Sequence, residues 1–172
     1  MDKLNEAQSL NLSYEDINQL SEDLNKINNI RECFILDNFI ESIGGEIKWL
    51  PILLWEKFEV PFMEINGVNN FTINLFSEVT DEMKRVILVQ AIGHYILHSK
   101  NGTNPCMIEK LSLGKAAREG FIFSLSLLIP DQMVVKIIES NKFTIKEIAR
   151  IFRVPEQILD VKCSVLKKYN KL

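Results

Sequence analysis

Residues 86–98 read VILVQAIGHYILH, an apolar run that polar side chains interrupt at a regular interval. Gln90, His94 and His98 recur every four residues, so they share one face if the segment is helical. Nearly all the other positions are apolar, which predicts that this helix lies in the protein core. Each buried polar group left without a partner costs about 1–3 kcal/mol. The sequence therefore predicts a shared polar pocket beside this helix.

The segments around this helix predict an α+β fold. Residues 46–50, 60–66 and 70–75 are short, rich in Ile, Val, Phe and Trp, and separated by turn-forming Pro, Asn and Gly, which predicts a small antiparallel sheet packed on helices. A short helical turn is predicted at 52–58, and further helices begin after Ser13, Thr80 and Thr144. We predict an N-terminal helical segment (1–45), a core (46–140) and a C-terminal helical tail packed on the core (141–172).

The composition predicts a single globular domain of 172 residues, with 47% hydrophobic and 25% charged residues. The acidic N-terminus does not resemble a secretory signal, and the apolar runs are shorter than a bilayer span, so a cytoplasmic protein without a membrane contact is expected. Cys33, Cys106 and Cys163 are far apart in the chain and predict neither a disulfide framework nor a cysteine zinc site. Nucleotide-binding and serine-hydrolase motifs are absent from the sequence.

The polar stripe has two interpretations. It can be a hydrogen-bonded core cluster in which a carboxylate satisfies the histidines. It can also be a metal site, because zincin proteases bind zinc with two histidines of an HExxH helix and use the glutamate as general base. Gln90-Ala91-Ile92-Gly93-His94 has that spacing but not those residues.

Three motifs in the correct order resemble the ImmA/IrrE family of metallopeptidases. The family helix typically reads AHELGHYLLH, which residues 89–98 (VQAIGHYILH) resemble. A second signature, EANxFAxxLLMP, is similar to residues 119–130 (EGFIFSLSLLIP), and a third, AxxFxV(S/P), is similar to residues 149–155 (ARIFRVP). The resemblance covers about residues 60–168 and implies a zincin-like core.

The resemblance places the second zinc histidine of the family on His94 and its third ligand on Glu119. It places the first zinc histidine on Gln90 and the general-base glutamate on Ala91. An amide is a poor zinc ligand, and a methyl group cannot take a proton from water, so we predict that hydrolysis is lost and that no residue is catalytic. No cofactor is expected, and a direct hydrogen bond from His94 to Glu119 would replace the metal bridge. A shifted zinc site formed by His94, His98 and Glu119 remains an alternative.

The tail is the basic part of an acidic chain. Residues 142–172 carry eight bases and three acids, whereas residues 1–45 carry three bases and nine acids. Residues 144–159 read as helix, turn and helix, an arrangement found in DNA readers. The basic residues that could meet phosphates are Lys146, Arg150, Arg153 and Lys162. Glu156, Gln157 and Asp160 on the second helix argue against a phosphate contact, and we expect a structural helix pair and no nucleic-acid partner.

The sequence thus predicts a catalytically degenerate ImmA/IrrE-like protein that acts by binding a protein. The family resemblance implies a regulator from a phage or mobile element that engages a helix-turn-helix repressor or another host protein. An extended partner segment would pair with the sheet edge beside the cleft. The alternatives are an active zinc metallopeptidase using His94, His98 and Glu119, and a DNA-binding regulator using the tail.

Overall fold

The computed structural model describes residues 4–32, 36–51, 53, 60–110 and 114–172. Within these ranges the chain forms seven α-helices and one four-stranded sheet, which is an α+β fold. The helices are α1 Tyr14–Asn28, α2 Leu36–Ser42, α3 Asp81–Leu97, α4 Gly114–Leu128, α5 Asp131–Glu139, α6 Ile145–Phe152 and α7 Glu156–Lys168. The strands are β1 Gly45–Leu50, β2 Met63–Gly67, β3 Asn70–Phe76 and β4 Cys106–Ile108. The turn predicted at 52–58 lies outside the described residues except for Leu53.

The sheet is mixed, whereas the sequence predicted an antiparallel one. Its strand order is β1-β3-β2-β4, and β1 runs parallel to β3 while β2 is antiparallel to both β3 and β4. A tight turn with Asn69 at φ 52° joins β2 to β3 and fixes that pair as a hairpin. Strand β1 adds to the outer edge of β3, whose direction it shares, and β4 adds to the outer edge of β2. Strand β4 was not predicted because its three residues are too short for a pattern.

Helix α3 is buried along most of its length, as predicted. Thr80 caps it, the side-chain oxygen of Thr80 accepting a hydrogen bond from the Met83 amide, and Asp81 and Glu82 lie in its first turn. The phenol ring of Tyr95 stacks on Phe71 of β3 with ring centroids 4.5 Å apart. The Tyr95 hydroxyl accepts from the Asn69 amide at 3.0 Å and donates to the carbonyl of Asn101 at 3.0 Å. These contacts fix the rotation of α3 about its axis and thereby aim its polar stripe toward α4.

A buried polar cluster joins the two ends of the chain. The Lys162 ammonium of α7 is fully buried and donates to the Asp131 carboxylate at 2.7 Å and to the Tyr14 hydroxyl at 2.9 Å. The Tyr14 hydroxyl donates to Asp131 at 2.7 Å, and the Tyr14 ring stacks on Tyr169 with centroids 4.6 Å apart. Burial and the adjacent Asp131 carboxylate raise the pKa of Tyr14, so it remains a neutral donor. The start of α1 is therefore tied to α5 and α7.

The tail forms the predicted helix pair. Thr144 and Glu147 make the capping box that opens α6. Ile148, Ala149, Phe152 and Ile158 are buried and belong to the hydrophobic core. The division into segments 1–45, 46–140 and 141–172 stays a prediction. None of the described helices is by itself long and apolar enough to cross a membrane, and α4 with α5 reaches that length only as a pair bent by 58°.

Candidate functional site

Two glycines allow α3 and α4 to approach closely at the polar stripe. A methyl group built on Gly120 of α4 would lie 2.6 Å from Nε2 of His94, and one built on Gly93 of α3 would lie 2.8 Å from the Phe123 ring. Real Cβ atoms do not come this close to other atoms, so each helix fits against the other only because these positions lack side chains. The His94 ring is consequently enclosed and has no exposed surface.

The polar stripe continues from α3 to α4 through a chain of short contacts. Nδ1 of His94 lies 2.9 Å from Nδ1 of His98. Nε2 of His98 lies 2.8 Å from Oε2 of Glu119, the residue that precedes Gly120 on α4. All three side chains belong to buried residues. His94 and His98 of the polar stripe therefore share one buried pocket with Glu119.

The hydrogen positions in this series of contacts follow from the Glu119 carboxylate at its end. An ionised carboxylate only accepts, so Nε2 of His98 carries the hydrogen and donates a hydrogen bond to Glu119. A neutral His98 then has an accepting Nδ1, and the Nδ1 of His94 must be the donor in the contact between the two rings. This leaves a lone pair on Nε2 of His94, an atom that is buried and finds no hydrogen-bond partner among the described residues.

Burial keeps both histidines neutral. Desolvation, followed by repulsion from His98, lowers the pKa of His94 to about 3. Desolvation also lowers the pKa of His98, although its hydrogen bond and attraction to Glu119 act in the opposite direction. The neutral tautomers assigned from the hydrogen bonds agree with these directions.

The Glu119 carboxylate is surrounded by donors from the N-terminus of the chain. Oε1 accepts from the Ser9 hydroxyl at 2.8 Å and from the Leu12 amide at 3.1 Å, and Oε2 accepts from the Leu10 amide at 3.1 Å as well as from His98. Burial alone would raise the pKa of Glu119, but these four hydrogen bonds outweigh it and hold the pKa below its ordinary value. Glu119 is therefore an ionised acceptor at neutral pH.

The positions that depart from the family pattern lie on the same helix. The Gln90 amide nitrogen donates to the Ala117 carbonyl at 3.3 Å, so this side chain bridges α3 and α4. Ala91 is fully buried in the hydrophobic core. The direct hydrogen bond predicted between His94 and Glu119 is wrong, because the His98 ring lies between the two side chains and contacts both.

A zinc ion bound by His94, His98 and Glu119 would require their ligand atoms to converge on one point. Tetrahedral zinc holds its nitrogen and oxygen ligands at about 2.0–2.2 Å, which separates the ligand atoms by about 3.3 Å around one point. Here His98 meets its two neighbours through different ring nitrogens, so the three side chains do not converge. Across the described part of the chain, no group of three His, Cys, Asp or Glu side chains is placed to hold a metal. Zinc does not fit without reorientation of the rings, and metal binding stays a prediction.

The sequence did not predict that N-terminal residues surround Glu119. Residues 5–7 pair with β4, where the Ala7 amide donates to the Met107 carbonyl and the Met107 amide donates to the Asn5 carbonyl, both at 2.8 Å. Residues 9–12 then donate hydrogen bonds to Glu119, which lies more than a hundred residues away from them in the sequence. No periodicity marks residues 4–12. The sheet edge that we expected a partner to use is occupied by the chain itself.

Two of the basic residues proposed to meet phosphates are engaged inside the molecule. Lys162 is buried against Asp131 and Tyr14, so this candidate residue is not available to contact a phosphate backbone. The Arg153 guanidinium donates to the Arg31 carbonyl at 2.8 Å. These contacts attach the tail to the rest of the protein. They argue against a DNA-binding role, because the two basic side chains are already engaged.

Comparison with known proteins identifies the family. The family model of the IrrE N-terminal-like domain matches residues 56–164, which is more than half of the chain and includes α3, β4 and the polar pocket. The chain therefore belongs to the ImmA/IrrE family, as its motifs indicated. No significant match was found among curated proteins or among solved structures.

Proposed function

We propose that this chain is a family member that does not hydrolyse peptides and acts by binding a protein partner. The partner class that we propose is a helix-turn-helix repressor, or another regulatory protein of the host, and the setting is a phage or mobile element. The proposal combines the family assignment with the chemistry of the pocket.

The observation that carries the proposal is the residue at the general-base position. Ala91 is fully buried and offers a methyl group where peptide hydrolysis by the family's mechanism needs a carboxylate. The preceding ligand position is Gln90, whose amide nitrogen is directed at the Ala117 carbonyl. Both replacements affect the same function, because in the family's mechanism zinc would lower the pKa of its bound water and polarise the carbonyl, and a carboxylate would accept the proton as that water attacks.

The remaining polar residues are linked by direct hydrogen bonds between side chains. His94, His98 and Glu119 contact one another in one hydrogen-bonded series, which leaves Nε2 of His94 as the buried ring nitrogen without a partner among the described residues. This arrangement supports a structural role for the former ligands, which keep α3 and α4 together beside the sheet edge. A site that keeps these polar side chains and lacks the general-base carboxylate supports a protein that binds its partner without cutting it.

The test is capture of a partner by the tagged full chain, followed by reconstitution with the purified partner. We expect one protein to be recovered at its full length and to remain uncut after prolonged incubation with added zinc. His94→Ala is the variant that removes any metal chemistry, and Lys146→Ala on the exposed face of α6 is the matched control. A partner that is cut by the wild-type chain and by Lys146→Ala, but not by His94→Ala, would overturn the proposal.

A second candidate is a zinc peptidase that uses His94, His98 and Glu119. The observation that favours it is the direct contact between these three residues, since one rotation of the His98 ring would change which nitrogens face each other. This candidate requires stoichiometric zinc in the purified protein, measured by elemental analysis, and its loss in His98→Asn. A metal content near zero after growth with zinc would eliminate it.

A further inference from the structure

The N-terminal segment, residues 5–12, lies along β4 and continues onto the polar pocket. It pairs with β4 through the two hydrogen bonds between residues 5–7 and Met107, and runs parallel to that strand. Ser9, Leu10 and Leu12 then donate three hydrogen bonds to the Glu119 carboxylate. One continuous stretch therefore covers both the edge of the sheet and the charged group of the pocket.

The segment is held mainly by hydrogen bonds, with Ala7 and Leu12 partly buried against the hydrophobic core. None of residues 4–13 is buried, and Leu10 remains 43% exposed although it lies directly over Glu119. On the side of α4, a cavity of about 290 Å³ separates Gln8 and Ser9 from Lys115 and its neighbours. Segments with few buried apolar contacts open locally, without unfolding of the core.

The chain provides a fixed point behind this segment. Tyr14 begins α1 and is anchored by Asp131 and the buried Lys162, while Asn11 three residues earlier adopts a left-handed backbone at φ 54°. Residues 5–12 precede this anchor, so they can leave β4 and Glu119 while α1 keeps its place. Release exposes a strand edge and an ionised carboxylate at the same time.

We propose that residues 5–12 are an internal ligand of the cleft and that a protein partner binds by displacing them. This inference rests on the proposed function for the existence of a partner and adds the chemistry of the partner. The displacing segment is extended, pairs with β4 over about three residues, and carries a serine or threonine two residues further on, as Ser9 follows Ala7. It brings two alternate backbone amides, corresponding to those of Leu10 and Leu12, and a hydroxyl to Glu119, and it has no carboxylate at those positions.

The test uses a labelled synthetic peptide with the sequence of residues 4–12, LNEAQSLNL, as the probe. In the wild-type chain the internal copy competes at the high effective concentration of a tethered segment. In the full-length variant Ala7→Pro/Ser9→Ala, the internal copy loses one hydrogen bond to Met107 and one to Glu119. We expect this variant to bind the probe at least about tenfold more tightly than the wild type, measured by fluorescence anisotropy.

Two controls make the result specific. Gln8→Ala changes an exposed neighbour in the same segment and should bind the probe as weakly as the wild type. The double variant Ala7→Pro/Ser9→Ala is called the loosened variant below. A probe with alanine in place of its serine should lose most of its affinity for the loosened variant. Denaturant unfolding of the loosened variant should resemble that of the wild type, because the segment contains no buried residue.

Equal binding of the probe to the wild type and to the loosened variant, or no binding to either, would overturn the inference. The same result would leave the proposed function standing, because the assay contains no partner protein. Conversely, a partner that is cut would remove the proposed function and leave the peptide result valid. Mass spectrometry of the probe after incubation separates binding from cleavage in the same sample.

Discussion

Acidification should destabilise the fold through the two buried histidines, which are the only histidines in the chain. An unfolded histidine takes up a proton near pH 6.5, whereas His94 in the folded protein resists protonation down to about pH 3. The unfolded state therefore binds more protons between these values, so stability is fully present above about pH 6.5 and is lost as the pH falls. His94 alone should cost about 2 kcal/mol between pH 7.5 and pH 5.0, and His98 acts in the same direction.

Carboxylates do not account for this effect in the same interval. The pKa values of Glu119 and Asp131 are lowered in the fold, so their contributions are lost only below their ordinary values of 4.5 and 3.8. Urea unfolding followed by circular dichroism at a series of pH values measures the free energy directly. A chelator in every sample removes any contribution from metal binding.

The control variant is His94→Phe, which keeps a ring in the enclosed site and removes one titrating group. Its stability at neutral pH will be lower, because Nδ1 of His98 loses a donor, but its dependence on pH should be smaller than that of the wild type by about 2 kcal/mol over the same interval. Proton NMR of the two imidazole rings provides a second measurement. A flat stability profile, or a ring titrating near pH 6.5 in the position of His94, would refute the neutral hydrogen-bonded chain.

Two further predictions concern packing. Asp131→Asn removes the carboxylate beside the fully buried Lys162 ammonium and should lower the free energy of unfolding by about 3–5 kcal/mol. Lys162→Met leaves no buried cation and should cost less than half as much in the same urea titration; equal losses would contradict a buried ion pair. Gly120→Ala places a methyl group 2.6 Å from Nε2 of His94 and should cost about 1–3 kcal/mol and shift the His94 ring resonances. Gly67→Ala, whose methyl would meet no described atom within 4 Å, is the control and should leave those resonances unchanged.

The sequence was sufficient to predict features that depend on neighbours along the chain. The polar stripe of Gln90, His94 and His98 follows from a spacing of four residues in an apolar helix. The caps at Ser13, Thr80 and Thr144 were readable because each cap bonds to an amide within three residues. The family was readable as well, since its motifs are local patterns in a fixed order.

Only the tertiary structure decided which distant groups meet. The partners of Glu119 come from residues 9–12, and the partners of Lys162 come from Tyr14 and Asp131, at separations that no local pattern encodes. The strand order was equally inaccessible, because hydrogen bonds between strands depend on the directions in which the backbone returns and not on the residues of one strand. Local spacing determines which face of an element is polar. The burial of that face against a second element determines which of its groups ionise, which pair, and which remain available to a partner.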